Sequence, residues 1–169
     1  KTEIFINNYI WSNKINKVRI ELRYYPEYAN AQDNRMQTAL MHTSNINRID
    51  MARLLIENGA NVNIKGDNGY TALMYVSGRR NHIDIVRLLI ERGANVNIKN
   101  DDGDTALINA SYISDTEVVR LLIGNGANVN IKSDDGYTPL IIATSMANVN
   151  IIKLLIANGA NVNIKDNYN

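Results

Sequence analysis

A twelve-residue segment occurs four times in this chain, and this repetition restricts the possible folds more than any other feature. The copies begin at Leu54, Leu88, Leu121 and Leu154 and read LLIENGANVNIK, LLIERGANVNIK, LLIGNGANVNIK and LLIANGANVNIK. The glycines at their sixth position are 34, 33 and 33 residues apart. Such a period is typical of chains in which one small unit stacks on its neighbours, because a single unit cannot enclose a core.

A second motif precedes each copy and indicates where a first helix begins. Thr-Ala-Leu occurs at residues 38–40, 71–73 and 105–107, and Thr-Pro-Leu occurs at residues 138–140. A threonine hydroxyl accepts a hydrogen bond from the first helical turn, and proline fits the first helical position. We therefore predict a helix after each threonine, for example over Pro139–Met146.

A second helix is predicted in each repeat from apolar residues at helical spacing. In the third repeat this spacing places Val118, Leu121 and Leu122 in the core. Asn-Gly or Arg-Gly then ends the helix, because glycine readily adopts the left-handed conformation after a helical C-terminus. Residues 67–69, 101–103 and 134–136 are Asp-Asn-Gly, Asp-Asp-Gly and Asp-Asp-Gly, which favour turns between repeats.

The combined pattern D-x-x-G-x-T-A/P-L and L-L-I-x-x-G-A-N-V-N resembles the ankyrin repeat. The resemblance covers residues 33–165 and implies an all-α solenoid of stacked helix-turn-helix units with projecting turn tips. The histidine that usually follows the leucine of T-P-L-H is absent, which removes a polar bridge between adjacent turns; Met41, Met74, Ile108 and Ile141 replace it. Met36 occupies the position of a turn glycine, so we expect a different turn there. The second repeat has one extra residue, which we place within Ser77–Asn81.

The repeat pattern divides the chain into six segments. We predict a degenerate N-terminal capping repeat over 1–32, with helices over Ile4–Trp11 and around Lys17–Leu22. The four full repeats are 33–65, 66–99, 100–132 and 133–165, and 166–169 is a tail or the start of a further, truncated repeat. We call the four full repeats one to four.

Composition and motifs argue against several classes of function. The chain of 169 residues has 18 Lys and Arg against 17 Asp and Glu, so a nucleic-acid partner is not expected. Cysteine is absent, no apolar run is long enough to span a membrane, and no nucleophile or phosphate-loop motif occurs. His42 and His82 have no ligand spacing, and the aspartate pairs lack a calcium-loop pattern. We therefore predict no catalytic residues, no cofactor and no metal.

One basic row is interpreted as a solvated surface rather than a polyanion site. Its members occupy the same position of the second helix in five units: Arg19, Arg53, Arg87, Arg120 and Lys153. Acidic residues stand three or four positions from Arg53, Arg87 and Arg120, a spacing that favours ion pairs on a helix. The high content of 27 Asn and 23 Ile is interpreted as a trait of an AT-rich source genome rather than of function.

The positions that vary between repeats are the predicted partner-binding surface. The resemblance implies that the turn tips and the ends of the first helices line a concave groove where partner proteins bind. Tyr, Arg, Met and Ile are common in protein interfaces, and the aspartates predict a partner with a basic surface. The candidate residues are Tyr70, Arg79, Arg80, Asp101, Asp102, Asp104, Tyr112, Ile113, Asp134, Asp135, Tyr137 and Met146.

The sequence therefore predicts a non-catalytic protein–protein interaction module, monomeric and cytoplasmic. The alternative is a targeting arm of a larger enzyme or host-directed effector whose active domain lies outside this chain. The Asn- and Ile-rich repeats are similar to ankyrin families of large amoeba-infecting viruses, AT-rich protists or bacteria, and a product acting in the cytoplasm of a host cell fits that similarity. The repeated Asn-Val-Asn also resembles sites modified by asparaginyl hydroxylases, except that the acidic residue expected two positions earlier is asparagine.

Overall fold

The computed structural model describes residues 9–167, which form nine α-helices connected by turns. The helices are α1 Ile15–Tyr24, α2 Ala39–Asn45, α3 Ile49–Glu57, α4 Ala72–Ser77, α5 Ile83–Glu91, α6 Ala106–Ile113, α7 Thr116–Gly124, α8 Pro139–Ser145 and α9 Val149–Ala157. Short 3₁₀ segments occur at Pro26–Ala29 and Asp67–Gly69. Within the described range, β-type pairing is limited to one isolated bridge between Gln32 and Thr38. The all-α prediction is confirmed.

The first helix of each repeat begins at the predicted threonine. The hydroxyls of Thr38, Thr71 and Thr138 each accept a hydrogen bond from the backbone N–H three residues later, at 3.2–3.3 Å. Thr105 is also extended and precedes α6, but its hydroxyl makes no such bond. These helices have six to eight residues. Helix α8 ends at Ser145, one residue before the predicted helix end at Met146.

The helices form two rows, and the closer spacing of one row curves the stack. Helices α2, α4, α6 and α8 pack side by side as the first row, and α3, α5, α7 and α9 form the second row behind them. First-row helices approach one another more closely than second-row helices do. Buried alanines such as Ala72, Ala106 and Ala110 permit this approach. The first row therefore lies on the inner, concave side.

The core lies between the two rows and follows most of the helical spacing predicted from the sequence. Val118 and Leu122 are fully buried. Leu121, however, is only half-buried, although Leu54 and Leu88 at the same position are 3% and 2% exposed. Leu121 therefore packs against the core as a partly buried residue, and the prediction that it is buried there is met only in part.

Asparagine side chains connect each repeat to the next. The amide nitrogen of one asparagine donates to a glycine carbonyl of the following repeat at 2.8–3.0 Å, and its oxygen accepts from a backbone N–H two residues after that glycine at 2.7–2.8 Å. The four asparagines with this pair of bonds are Asn30, Asn63, Asn97 and Asn130. The asparagine content therefore has a structural role that its interpretation as a genomic bias missed.

The second half of the N-terminal unit resembles the second helix of the later repeats. Helix α1 contains the predicted segment Lys17–Leu22 and buries Val18 and Leu22. The predicted helix over Ile4–Trp11 falls mostly on residues 1–8, which lie outside the described residues.

Candidate functional site

The turn tips are fixed from within by side chains at the first turn position. The Asp33 carboxylate accepts from the backbone N–H groups of Arg35 and Gln37, both at 2.9 Å. The Asn100 amide oxygen accepts in the same way from Asp102 and Asp104, at 3.1 and 2.7 Å. The side chain at this position thus holds the residue before the threonine in repeats one, three and four, where it is Asp33, Asn100 and Ser133.

Consecutive tips are also bonded to one another through the backbone. The N–H of Asp101 donates to the Asn68 carbonyl at 3.0 Å, and the N–H of Asp134 donates to the Asp102 carbonyl at 2.9 Å. A further bond of 3.2 Å joins the Asn167 N–H to the Asp135 carbonyl. Adjacent turns are therefore connected by hydrogen bonds even though the family's usual histidine is absent.

The turn of repeat one has a different residue at the glycine position but the same left-handed backbone conformation. Met36 has a φ of 55°, in the left-handed region that Gly69, Gly103 and Gly136 occupy at 73°, 77° and 84°. The different turn expected at Met36 is therefore not found at this position. A methionine pays a steric penalty there that a glycine does not.

Tyrosine side chains gather where the second and third repeats meet on the first-row face. The rings of Tyr70 and Tyr75 lie 5.1 Å apart between centroids, tilted by 37°. The Tyr75 hydroxyl accepts a hydrogen bond of 2.8 Å from the Gln37 side chain of repeat one. Tyr112 of repeat three lines the same surface and is 41% exposed. These rings give the face a large apolar area with polar ends.

Between these repeats lies a groove of about 250 Å³. We call it the tyrosine groove, and its lining residues are Tyr70, Met74, Tyr75, Gly78, Arg79, Asn109, Tyr112 and Ile113. Arg79 is exposed at its edge and donates from Nε to the Asn45 side chain of repeat one at 2.9 Å. Asn109 donates to the Met74 carbonyl at 3.2 Å across the two repeats. The groove is thus built by contacts between neighbouring repeats.

A concentration of negative charge lies beside the tyrosine groove. Burial raises the pKa of the Asp104 carboxyl group, and the nearby charges of Asp102, Asp135 and Asp134 raise it further, while Lys99 lowers it. The Lys99 ammonium group itself donates to the Lys132 carbonyl at 2.7 Å. The four carboxylates therefore produce a negative potential that the chain balances only in part.

The same carboxylates affect the tyrosines. Burial and then the charge of Asp104 raise the pKa of the Tyr70 hydroxyl. The pKa of Tyr112 is raised by burial, then by Asp104, Tyr137 and Asp135. Tyr70 and Asp104 directly precede the capping threonines of α4 and α6, which pack side by side, so the groove and the acidic tips are neighbours.

The structure brings many of the sequence-predicted site residues together. Tyr70, Arg79, Tyr112 and Ile113 line the tyrosine groove, and the predicted aspartates and Tyr137 lie on the neighbouring turns of repeats three and four. Arg80 and Met146 are exposed at helix ends and do not line the groove. The predicted surface is therefore continuous around repeats two and three and less so at its edges.

Several groove residues escaped the sequence analysis. Met74, Tyr75 and Asn109 belong to the bodies of α4 and α6, whereas the prediction considered only turn tips and helix ends. Tyr75 stands four residues after the capping Thr71, so it lies one helical turn inside the helix, on the side of the threonine. This spacing is the sequence signal that could have placed Tyr75 near Tyr70, the residue before the capping threonine.

The two histidines have structural contacts. His42 is buried, donates from Nε2 to the Asp33 carboxylate at 2.9 Å, and lies edge-on to Trp11 with 5.3 Å between ring centroids. Burial alone would raise the pKa of Asp33, but hydrogen bonds from Gln37, His42 and Arg35 lower it overall. His82 donates from Nδ1 to the Arg80 carbonyl at 2.6 Å.

The basic row differs from its prediction. Within residues 9–167, ion pairs up to 4.0 Å join His42 to Asp33 and Arg120 to Glu117. The Arg120–Glu117 contact is at 4.0 Å between side chains that are 62% and 75% exposed, so its contribution is small. Among the described residues, the predicted pairing is found within 4.0 Å at Arg120 and Glu117, and this one exposed pair does not neutralise the row.

The last repeat leaves apolar side chains in solvent. Val162 is 63% exposed, whereas Val62, Val96 and Val129 at the same position are 6–8% exposed. Leu140, Ile141, Ile152 and Ile156 line a shallow groove of about 560 Å³ next to it. This face corresponds to the surface that each earlier repeat buries against its successor.

Two further findings concern membranes and metals. None of the helices in the described part of the chain has both the length and the apolar character required to cross a bilayer. Over the same residues, no three His, Asp or Glu side chains converge as the ligands of a metal ion would.

Comparison with known proteins agrees with the architecture. Residues 10–100 and 79–166 match the family described as Ankyrin repeats (3 copies). A stretch of 48 residues is 44% identical to a Treponema pallidum (strain Nichols) protein described as ankyrin repeat-containing. That stretch covers 28% of this chain and 16% of the relative, so the match concerns a small part of the relative's length.

Proposed function

Because the chain belongs to the ankyrin repeat family, we propose that it binds a partner protein through the face formed by the turn tips and the first-row helices. Ankyrin repeats are generally protein–protein interaction modules and are typically not catalytic. The observation that carries the proposal is the tyrosine groove beside the acidic tips of repeats three and four. Tyrosines supply large, rigid contact area with a polar end, as interface anchors do.

Charge supports the same face. Asp101, Asp102, Asp134 and Asp135 are exposed at neighbouring tips. A negative rim around an aromatic centre favours a partner with a basic surface and accelerates the encounter at low salt. The basic row on the second-row helices is the competing surface, and it lacks aromatic residues.

The experiment is a selection of binding peptides from a random display library on the immobilised chain. Selected peptides are then measured against Tyr112→Ala combined with Asp102→Lys, and against the matched control Arg87→Ala combined with Arg120→Ala. We expect the first pair to weaken binding at least about tenfold, because an aromatic contact is lost and a charge is reversed. The control pair should bind as the unmodified chain does.

Both variants change exposed side chains, so their thermal unfolding should match that of the unmodified chain. Peptides that lose affinity for the control pair and keep it for the groove pair would place binding on the second-row face. That result would overturn the proposal.

A further inference from the structure

The tyrosine groove has the size of one side chain. Pockets for small-molecule ligands usually measure roughly 300–1,000 Å³, and this groove measures about 250 Å³. It is also open along one side, since Tyr112 is 41% exposed. A single long side chain of a partner therefore fits it better than an independent ligand does.

The charge around the groove selects the sign of that side chain. Asp104 lies directly before Thr105, the N-cap of α6, and within residues 9–167 its carboxylate accepts no hydrogen bond. Asp102, Asp134 and Asp135 add to its field, while Lys99 is held by the Lys132 carbonyl. A cation brought to this end of the groove would be attracted by all four carboxylates.

The aromatic rings select the shape. A guanidinium group is planar, stacks on tyrosine faces and presents a fork of N–H donors to a carboxylate, whereas an ammonium group is a compact and strongly hydrated point charge. Tyr70 and Tyr112 line the groove, and Tyr70 holds the position in repeat two that Asp104 holds in repeat three, directly before the capping threonine. The two recognition elements for a guanidinium group therefore lie next to each other.

Arg79 is the one basic residue among the groove residues, and its position limits where a cation can bind. Its guanidinium group is bonded to Asn45 of repeat one, and Arg79 follows the C-terminus of α4, whereas Asp104 precedes the N-terminus of α6. The favourable position for a cation is then beside Asp104, before the start of α6. Removing the charge of Arg79 should strengthen the binding of a cation there.

We propose that the tyrosine groove binds an arginine side chain of the partner protein, with Tyr70 and Tyr112 contacting the guanidinium plane and Asp104 accepting its hydrogen bonds. This inference rests on the proposed function, since it names the partner group that the same face recognises. It predicts that binding segments contain an arginine in a flexible or extended stretch.

The probe is a capped glycine-rich pentapeptide with arginine at its centre, titrated into the isotope-labelled chain and followed by NMR chemical shifts. The comparison peptides carry lysine or citrulline, and citrulline keeps the shape of arginine without its charge. We expect saturable shifts around Tyr70, Tyr112 and Asp104 with arginine, weaker binding with lysine and no saturation with citrulline. Asp104→Asn should weaken arginine binding about tenfold or more, because a charge-assisted contact is lost.

Two further variants sharpen the test. Tyr112→Ala should weaken binding about two- to fivefold through the lost cation–π contact, and Arg79→Ala should strengthen it. Equal binding of the citrulline or the lysine peptide, or absence of saturation with arginine, would overturn the inference. Groove-dependent peptides that contain no arginine, taken from the display selection, would overturn it while leaving the proposed function intact. A selection that gives no groove-dependent peptide would count against the proposed function itself.

Discussion

Replacing Gly103 by alanine tests whether neighbouring turn tips are packed as closely as the structure indicates. Gly103 has a φ of 77°, and a methyl group there would lie 2.8 Å from the Asp134 backbone nitrogen and 3.1 Å from the Ser133 carbonyl carbon. Gly126 in the same repeat has a φ of 83°, and its methyl group would meet no described atom within 4 Å. The two glycines thus share the backbone conformation and differ only in the space around them.

The expected losses follow from that difference. A left-handed alanine costs about 1–2 kcal/mol, and the stiffer unfolded chain returns about 0.4–1 kcal/mol. Gly126→Ala should therefore lower the free energy of unfolding by about 1 kcal/mol. Gly103→Ala should lower it by about 2–4 kcal/mol, because the added methyl group also overpacks the next turn and displaces the Asp134–Asp102 hydrogen bond of 2.9 Å.

Urea unfolding at neutral pH, followed by far-ultraviolet circular dichroism, measures both losses. The m values should stay equal, so that the shift of the midpoint reports stability alone. Equal losses for the two variants would show that the turns are farther apart than described, and the argument for a fixed acidic rim would fail with it.

The core and the acidic cluster give two further predictions. Leu122→Ala should lower the free energy of unfolding by about 2–5 kcal/mol because Leu122 is fully buried, and Leu121→Ala should lower it by less because Leu121 is half-buried; urea midpoints compare them. Asp104→Asn should raise stability at neutral pH, because burial and like charges raise the pKa of Asp104 above 3.8 and so penalise its charged form. That advantage should disappear as the pH falls through the raised pKa, where Asp104 is protonated in the folded chain; a difference in midpoint that grows toward acid would contradict the assignment.

Local rules were sufficient to predict the helices. The helix starts at Thr38, Thr71 and Thr138 follow from a capping hydroxyl, and the second-row helices α3, α5, α7 and α9 are each followed by a glycine in the left-handed conformation. Because each repeat contacts only its neighbours, these local signals also determine the stacking order. The all-α solenoid could therefore be predicted from the sequence.

The groove could be predicted from the sequence only in part, because its contacts join residues of different repeats. The Gln37–Tyr75 hydrogen bond spans 38 residues of sequence, and the Asn109–Met74 bond spans 35. No local propensity reports such a pair. The asparagine bonds between repeats show the same limit, since the residue recurs visibly in every copy while its partner lies about one repeat away.

The placement of Asp104 connects stability with the proposed binding. Burial, and then repulsion from Asp102, Asp135 and Asp134, raises the pKa of Asp104, which the Asn100 side chain holds in this turn. A residue selected only for stability would be neutral at this position, as Gln37 is at the equivalent position of repeat one. A bound cation would relieve the repulsion, and the gain would appear only in the complex. Relief of this repulsion would then add to the free energy of binding a basic partner. Binding sites commonly lose stability for function in this way.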